Sequence, residues 1–167
     1  MSLPSFVLEA DEKATRAIAE FGADDERALS TRSLALNARV SCRAYSSALS
    51  LVDQLVADYT RVRGRFDEMT DKVNRAKWKC LHFSGDKNRA RELANGNMEA
   101  WKAAKGAEDV HTLQWQFRHG ESTEGEPGIE LMTEVFILSR DALGPTHELT
   151  RTNKQQGLSS SLLILHC

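Results

Sequence analysis

The sequence has few cysteines, few prolines and no long apolar run, and each shortage excludes a class of protein. Its three cysteines are an odd number without a C-x-x-C pair, and no glycosylation sequon occurs, which disfavours a disulfide-stapled secreted fold. No apolar run exceeds four residues, whereas a membrane-spanning helix needs about 20. The N-terminus lacks the basic and apolar regions of a secretory signal. We therefore expect an intracellular protein, with the cytoplasm as the expected compartment.

Proline occurs only at positions 4, 127 and 145, which leaves residues 5–126 without one. Because a proline inside a helix costs about 3 kcal/mol, this distribution permits long helices. The hydrophobic content of 41% and charged content of 28% are typical of a globular protein or helical bundle. The net charge of −2 excludes a strong global attraction to nucleic acid or anionic lipid.

The clearest pattern is a heptad repeat that starts at Tyr45 and continues for five heptads. A 3.5-residue period of this length is typical of a helix packed along a partner helix, as in a coiled coil. It predicts one helix over about 43–82, although Gly64 lies inside it and should weaken it. This heptad stripe consists of Tyr45, Ala48, Val52, Leu55, Tyr59, Val62, Phe66, Met69, Val73, Ala76 and Cys80.

A turn at 83–86 and a second amphipathic helix over about 87–105 follow the heptad stripe. Two helices joined by a tight turn form an αα-hairpin whose arms pack antiparallel. Shorter amphipathic segments precede the stripe. The sequence therefore predicts an all-α fold, a helical bundle built around a long αα-hairpin.

The pattern changes after Gly106. Apolar and polar residues alternate over 112–118, which predicts a short extended segment. One further C-terminal helix is predicted before Gly144, and a polar stretch then leads to the apolar residues 162–165. We expect a single helical-bundle domain over 1–144 and a disordered tail over 145–167 with an apolar end.

The predicted helix pair carries two candidate binding surfaces. An exposed part of the heptad stripe, or a groove between it and the second helix, would bury the apolar face of a partner helix. Residues 61–105 also hold twelve Lys or Arg against six Asp or Glu, and aromatic side chains are interleaved with the cations near the turn, as at sites for nucleic acid or anionic membranes. The predicted partner-binding residues are Tyr59, Val62, Phe66, Met69 and Val73. The possible basic tip consists of Lys77, Trp78, Lys79, Phe83, Lys87 and Arg89.

Arg118-His119-Gly120-Glu121-Ser122 resembles the RHGE motif of the histidine phosphatase and phosphoglycerate mutase family. The resemblance implies an α/β fold in which His119 is the phosphorylated nucleophile and Arg118 binds phosphate. In that family the motif opens the domain, whereas here only one predicted helix and a polar tail follow it.

No metal or cofactor site is predicted. Cys80 and His82 are at most half of the four ligands that a structural zinc ion needs, and no phosphate-binding glycine loop occurs. The favoured function is therefore non-catalytic: helix-mediated protein–protein interaction as a scaffold or adaptor, with a protein partner or a second copy of the chain. The alternatives are a basic-tip binder of nucleic acid or membrane and, more remotely, a phosphatase-like enzyme.

Overall fold

A computed structural model describes residues 3–152 and confirms the predicted all-α helical-bundle class. Residues 148–152 begin a further helix beyond those named below. Over residues 3–152 there is no strand, and no helix is both long and apolar enough to cross a membrane. The helices are α1 (Ser5–Phe21), α2 (Glu26–Ser41), α3 (Tyr45–Arg63), α4 (Glu68–Phe83), α5 (Lys87–Lys105), α6 (Val110–Glu121) and α7 (Glu126–Leu143).

The chain divides into two compact units, residues 1–85 and 86–167. In the first, α2 packs against α1 and α3, and α3 packs against α4; in the second, α6 packs against α5 and α7. Whether residues 1–144 fold as one cooperative domain stays a prediction. Part of the predicted tail belongs to the second unit, where Leu149 and Thr150 are buried. The rest of that tail, with its apolar end, lies outside the described residues.

The single helix predicted over 43–82 is wrong. α3 ends at Arg63, Gly64 adopts a φ of 91°, and α4 begins after Asp67. A positive φ is easily adopted only by glycine. Gly64, the one glycine within residues 45–80, therefore marks the place where the helix stops. The apolar spacing stays in phase because α3 and α4 bury their parts of the stripe in the same core. The fully buried stripe residues of that core are Ala48, Val52, Leu55, Tyr59, Val73 and Cys80.

The turn at Gly64 belongs to a series of equivalent turns. Gly22, Gly64 and Gly106 end the alternate helices α1, α3 and α5 with φ values of 88°, 91° and 100°, and 42 residues separate each from the next. Three residues after each glycine, an aspartate side chain caps the following helix by accepting a backbone N–H at 2.8–2.9 Å. The capping residues are Asp25, Asp67 and Asp109. The chain is therefore a tandem repeat of helix pairs, with a period in the range of known helical repeats.

The repeat is shorter at its third step. Gly144, with a φ of 89°, follows Gly106 after 38 residues, because α6 has 12 residues whereas α2 and α4 have 16. The missing four residues are about one helical turn. In this last turn His147 replaces the aspartate, and its Nδ1 accepts the N–H of Leu149 at 3.2 Å.

The extended segment predicted over 112–118 is wrong, because these residues lie in α6. Leu113, Trp115 and Phe117 are all buried. α6 packs against both α5 and α7, so it buries residues on more than one side. An alternating pattern can result from such burial, and an isolated strand would have lacked a partner for its backbone.

Candidate functional site

A groove of about 630 Å³ lies among α1, α2 and α3 in the first unit. We call it the α1–α3 groove. Thr15 and Ile18 of α1 and Gln54 and Ala57 of α3 line it from two sides. α2 packs against both of these helices and forms the floor, through Arg32, Ala35 and Arg39.

Two ion pairs join the floor of the groove to its sides. The Nη2 of Arg39 donates to the Oδ2 of Asp11 on α1 at 2.7 Å. The Nη2 of Arg32 lies 2.7 Å from the Oδ2 of Asp58 on α3, and its Nη1 donates to the carbonyl of Ala23 at 3.3 Å. Arg32 is only 5% exposed, so removal of one member of this pair would leave a charge without compensation. The pairs therefore fix α1 and α3 relative to α2.

The groove is lined by both apolar and polar side chains, and it is close to neutral because each floor arginine is matched by an aspartate. The Nε of Arg39 is buried and has no hydrogen-bond partner in the described part of the chain. Ala35 and Ala57 are small side chains along the groove, and they leave room for a close approach. The Thr15 hydroxyl donates to the carbonyl of Asp11 at 2.9 Å and can still accept, and the Gln54 amide can both donate and accept. Such a surface suits a ligand that has both donors and acceptors, as a polypeptide main chain does.

The five predicted partner-binding residues do not form one exposed stripe. Tyr59 and Val73 are each only 3% exposed, and the Tyr59 hydroxyl shares a 3.0 Å hydrogen bond with Ser33 Oγ. Met69 packs partly buried against the same core. Only Val62 and Phe66, at 43% and 41%, are exposed. The prediction of a shared surface is wrong because the chain turns at Gly64; partner binding by the two exposed residues stays a prediction.

Three of the four cations of the predicted basic tip form ion pairs with acidic side chains. The fourth, Lys79, is exposed and forms no ion pair within residues 3–152. Ion pairs between exposed side chains contribute little stability. Their formation still lowers the positive charge that a phosphate would meet. The pairs are Lys77 with Asp53 at 2.8 Å, Lys87 with Glu124 at 3.0 Å, and Arg89 with Asp86 at 3.3 Å.

The aromatic residues of the tip differ in exposure. Trp78 is buried and stacks on His82 with ring centroids 4.8 Å apart. Phe83 is 56% exposed and stacks on Tyr45 at 5.6 Å. Trp78 is therefore part of the packing of the first unit, and Phe83 is the one tip aromatic open to a ligand. Binding of nucleic acid or membrane stays a prediction.

The RHGES segment lies at the C-terminal end of α6 and follows helix rather than strand. Arg118 Nη1 donates to the carbonyl of Gln114 at 2.8 Å, so this arginine is directed back along its own helix. His119 Nδ1 is buried without a hydrogen-bond partner in residues 3–152, and burial, followed by the charge of Arg91, lowers the pKa of this imidazole. Burial also raises the pKa of Glu121 to about 7, although Arg118 opposes the shift. Phosphatase activity stays untested.

The cysteine pattern does not lead to a metal centre. Cys80 is buried, and burial raises the pKa of its thiol to about 11, as for a thiol that packs as a small hydrophobe. Among residues 3–152, no group of three or more His, Cys, Asp or Glu side chains is placed to hold a metal ion.

Sequence reasoning missed every residue of the α1–α3 groove. The signal that could have found it is the Gly-x-x-Asp pattern at Gly22, Gly64 and Gly106. That pattern places Thr15 and Ala57 at equivalent positions, 42 residues apart. No protein-family description and no curated protein matches the chain in sequence.

Proposed function

We propose that the protein is a non-catalytic polypeptide-binding module, and that its α1–α3 groove takes an extended segment of a partner protein. The observation that carries the proposal is the groove floor, where Arg39–Asp11 and Arg32–Asp58 hold three helices around a nearly neutral groove of mixed polar and apolar lining. A scaffold or adaptor role and an intracellular location are finer claims of the same proposal.

The repeat architecture supports a binding role. In proteins built of tandem helix pairs, each repeat presents the equivalent helix face. Helical-repeat proteins use the resulting concave surfaces for recognition. Within the first unit, Thr15 and Ala57 occupy equivalent repeat positions and both line the groove. The groove is thus made by the repeat itself rather than by one irregular loop.

The size and chemistry of the groove support an extended peptide rather than a whole helix. Its volume of about 630 Å³ is that of a typical ligand pocket, which accommodates only a few residues. A helix satisfies its own backbone hydrogen bonds, whereas an extended segment leaves N–H and C=O groups for Thr15 and Gln54. Apolar partner side chains would contact Ile18 and Leu51.

The test is a peptide selection against full-length protein, followed by dissociation constants for synthetic peptides. Gln54→Arg and Ala57→Arg place long side chains at exposed groove positions, and each should weaken binding by about tenfold or more. Ser30→Arg and Asn37→Arg are matched controls on exposed positions of α2 outside the groove lining, and should change the constant by less than about twofold.

Two results would overturn the proposal. One is a selection in which no peptide binds the wild-type protein more tightly than about 100 µM. The other is an equal loss of affinity in the groove and control variants. Circular dichroism of each variant separates lost binding from lost folding.

A further inference from the structure

The exposed side of α7 carries two parallel rows of side chains. Glu126, Glu130 and Glu134 recur every four residues, and beside them run Ile129, Thr133 and Ile137. Together with Leu138 these residues line a shallow depression of about 470 Å³. We call this set of seven residues the α7 stripe.

Ile129 and Leu138 of the α7 stripe pack partly buried against the core of the second unit, and the other five residues of the stripe are exposed. The stripe therefore borders the side of the helix that is buried in the second unit. That side consists of Gly128, Met132, Val135 and Ser139. In contrast, Ile137 is 44% exposed, so a large aliphatic side chain beside the depression is open to a partner. Within residues 3–152 the three glutamates of the stripe form no ion pair, so their charges are available to a partner.

Positions of the α7 stripe have equivalents on α3, and the two sets carry different side chains. Gly64 and Gly144 are equivalent and 80 residues apart, so Glu134, Ile137 and Leu138 correspond to Gln54, Ala57 and Asp58. The earlier three line the α1–α3 groove, where Asp58 is neutralised by Arg32. On α7 the same helix face has larger apolar side chains and an acidic edge.

We propose that the α7 stripe binds a partner helix that is amphipathic and has lysine or arginine along one edge. Rows of residues four apart are the ridges that a second helix packs against. From Glu126 to Leu138 the stripe runs about 18 Å, or about three turns, which is enough for a short helix. The exposed glutamates supply charge complementarity, which selects a basic edge and orients the partner.

This surface belongs to the second unit, whereas the α1–α3 groove belongs to the first, and the two take different ligands. Its test therefore does not depend on the groove. The probe is a fluorescein-labelled synthetic helix of about five turns with leucines on one face and lysines along one edge. A matched peptide carries glutamates in place of those lysines. Binding is measured by fluorescence anisotropy with the full-length protein.

The lysine probe should bind and the glutamate probe should not. The triple variant Glu126→Gln, Glu130→Gln, Glu134→Gln and the single variant Ile137→Asp should each weaken the lysine probe by about tenfold or more. The control is Glu92→Gln with Glu99→Gln, which removes exposed glutamates of α5 and should change the affinity less than about twofold. Gln54→Arg should also leave it unchanged, which separates failure of this site from failure of the groove.

The proposal is overturned if the lysine probe binds no more tightly than about 100 µM, if both probes bind equally, or if the α5 control loses as much affinity as the triple variant. Circular dichroism must show the same helix content in all variants.

Other occupants give distinct results. A dimer of the wild-type chain that Ile137→Asp dissociates would mean that a second copy covers the α7 stripe. If replacing Leu162, Leu163, Ile164 and Leu165 with serine in the full chain tightened the probe about tenfold, the chain's own end would be the occupant. Either result overturns the proposal, and a monomer with unchanged probe affinity supports it.

Discussion

Arg32 of α2 and Asp58 of α3 form an ion pair of 2.7 Å in which the guanidinium group is almost fully buried. Asp58 also accepts a 2.8 Å bond from Arg61, so this carboxylate joins two arginines. The pair contributes both to the packing of α2 on α3 and to the floor of the α1–α3 groove. Its removal should therefore affect stability and binding together.

We predict that Asp58→Ala destabilises the protein by about 3 kcal/mol, because it leaves the buried Arg32 without its carboxylate. Urea denaturation followed by circular dichroism measures the loss. The double variant Arg32→Met with Asp58→Ala should be more stable than Asp58→Ala alone, since it removes the uncompensated charge. A double variant that is less stable than the single one would contradict this explanation.

Glu121 should make stability depend on pH. Its folded-state pKa of about 7 lies above the ordinary glutamate value of 4.5, so the folded state favours the protonated carboxyl. Stability from this group is present below about pH 4.5 and is lost as the pH rises to about 7. Between pH 5 and pH 8 the free energy of unfolding should fall for both proteins. We expect this fall to be smaller for Glu121→Gln than for the wild type, by about 1–3 kcal/mol.

His119 acts in the opposite direction, because its lowered pKa reduces stability as the pH falls. Urea titrations of wild type and Glu121→Gln at the same pH values cancel this contribution. Glu99→Gln, at an exposed position of α5, is the control and should follow the wild type. If Glu121→Gln also followed the wild type, the carboxyl would not be titrating in this range.

Gly64 and Gly96 provide a matched pair of substitutions with opposite expected signs. A Cβ at either position would meet nothing within 4 Å, so the effect comes from the backbone alone. Gly64→Ala should cost about 1–2 kcal/mol, because its φ of 91° is left-handed. Gly96→Ala, inside α5, should add about 1 kcal/mol of stability. Thermal unfolding measures both, and an increase in the melting temperature of Gly64→Ala would mean that the helix can continue through the turn.

The paired cations near the α4–α5 turn predict weak binding to nucleic acid. At about 150 mM salt we expect single-stranded RNA to bind no more tightly than about 10⁻⁴ M. Filter binding or anisotropy with a labelled oligonucleotide measures this. Submicromolar binding that the combined replacement of Lys79 and Lys87 with glutamate abolishes would instead favour the basic-tip hypothesis.

The helical class could be predicted from the sequence because apolar spacing reports which side of each helix is buried. The division of the predicted long helix into α3 and α4 could not be read from the apolar spacing. Both helices bury their stripe residues in one core, so the spacing stays in phase across Gly64. Residues 112–118 of α6 showed the alternating pattern of a strand because this helix is buried against both α5 and α7. The groove escaped notice because Asp11, Arg39 and Asp58 are far apart in sequence and only the repeat brings them together. Comparison of the chain with itself at a spacing of 42 residues would have shown the turns.

The most direct measurement of groove binding is photocrosslinking of the full-length protein to a selected peptide. Benzoylphenylalanine is placed at position 18, where a large apolar residue already lines the groove, or at position 30, on the exposed part of α2 outside it. We predict a covalent adduct from position 18 that excess unlabelled peptide suppresses, and none above background from position 30. Equal yields from both positions, or no adduct from position 18 at saturating peptide, would contradict the proposal that the α1–α3 groove binds a polypeptide.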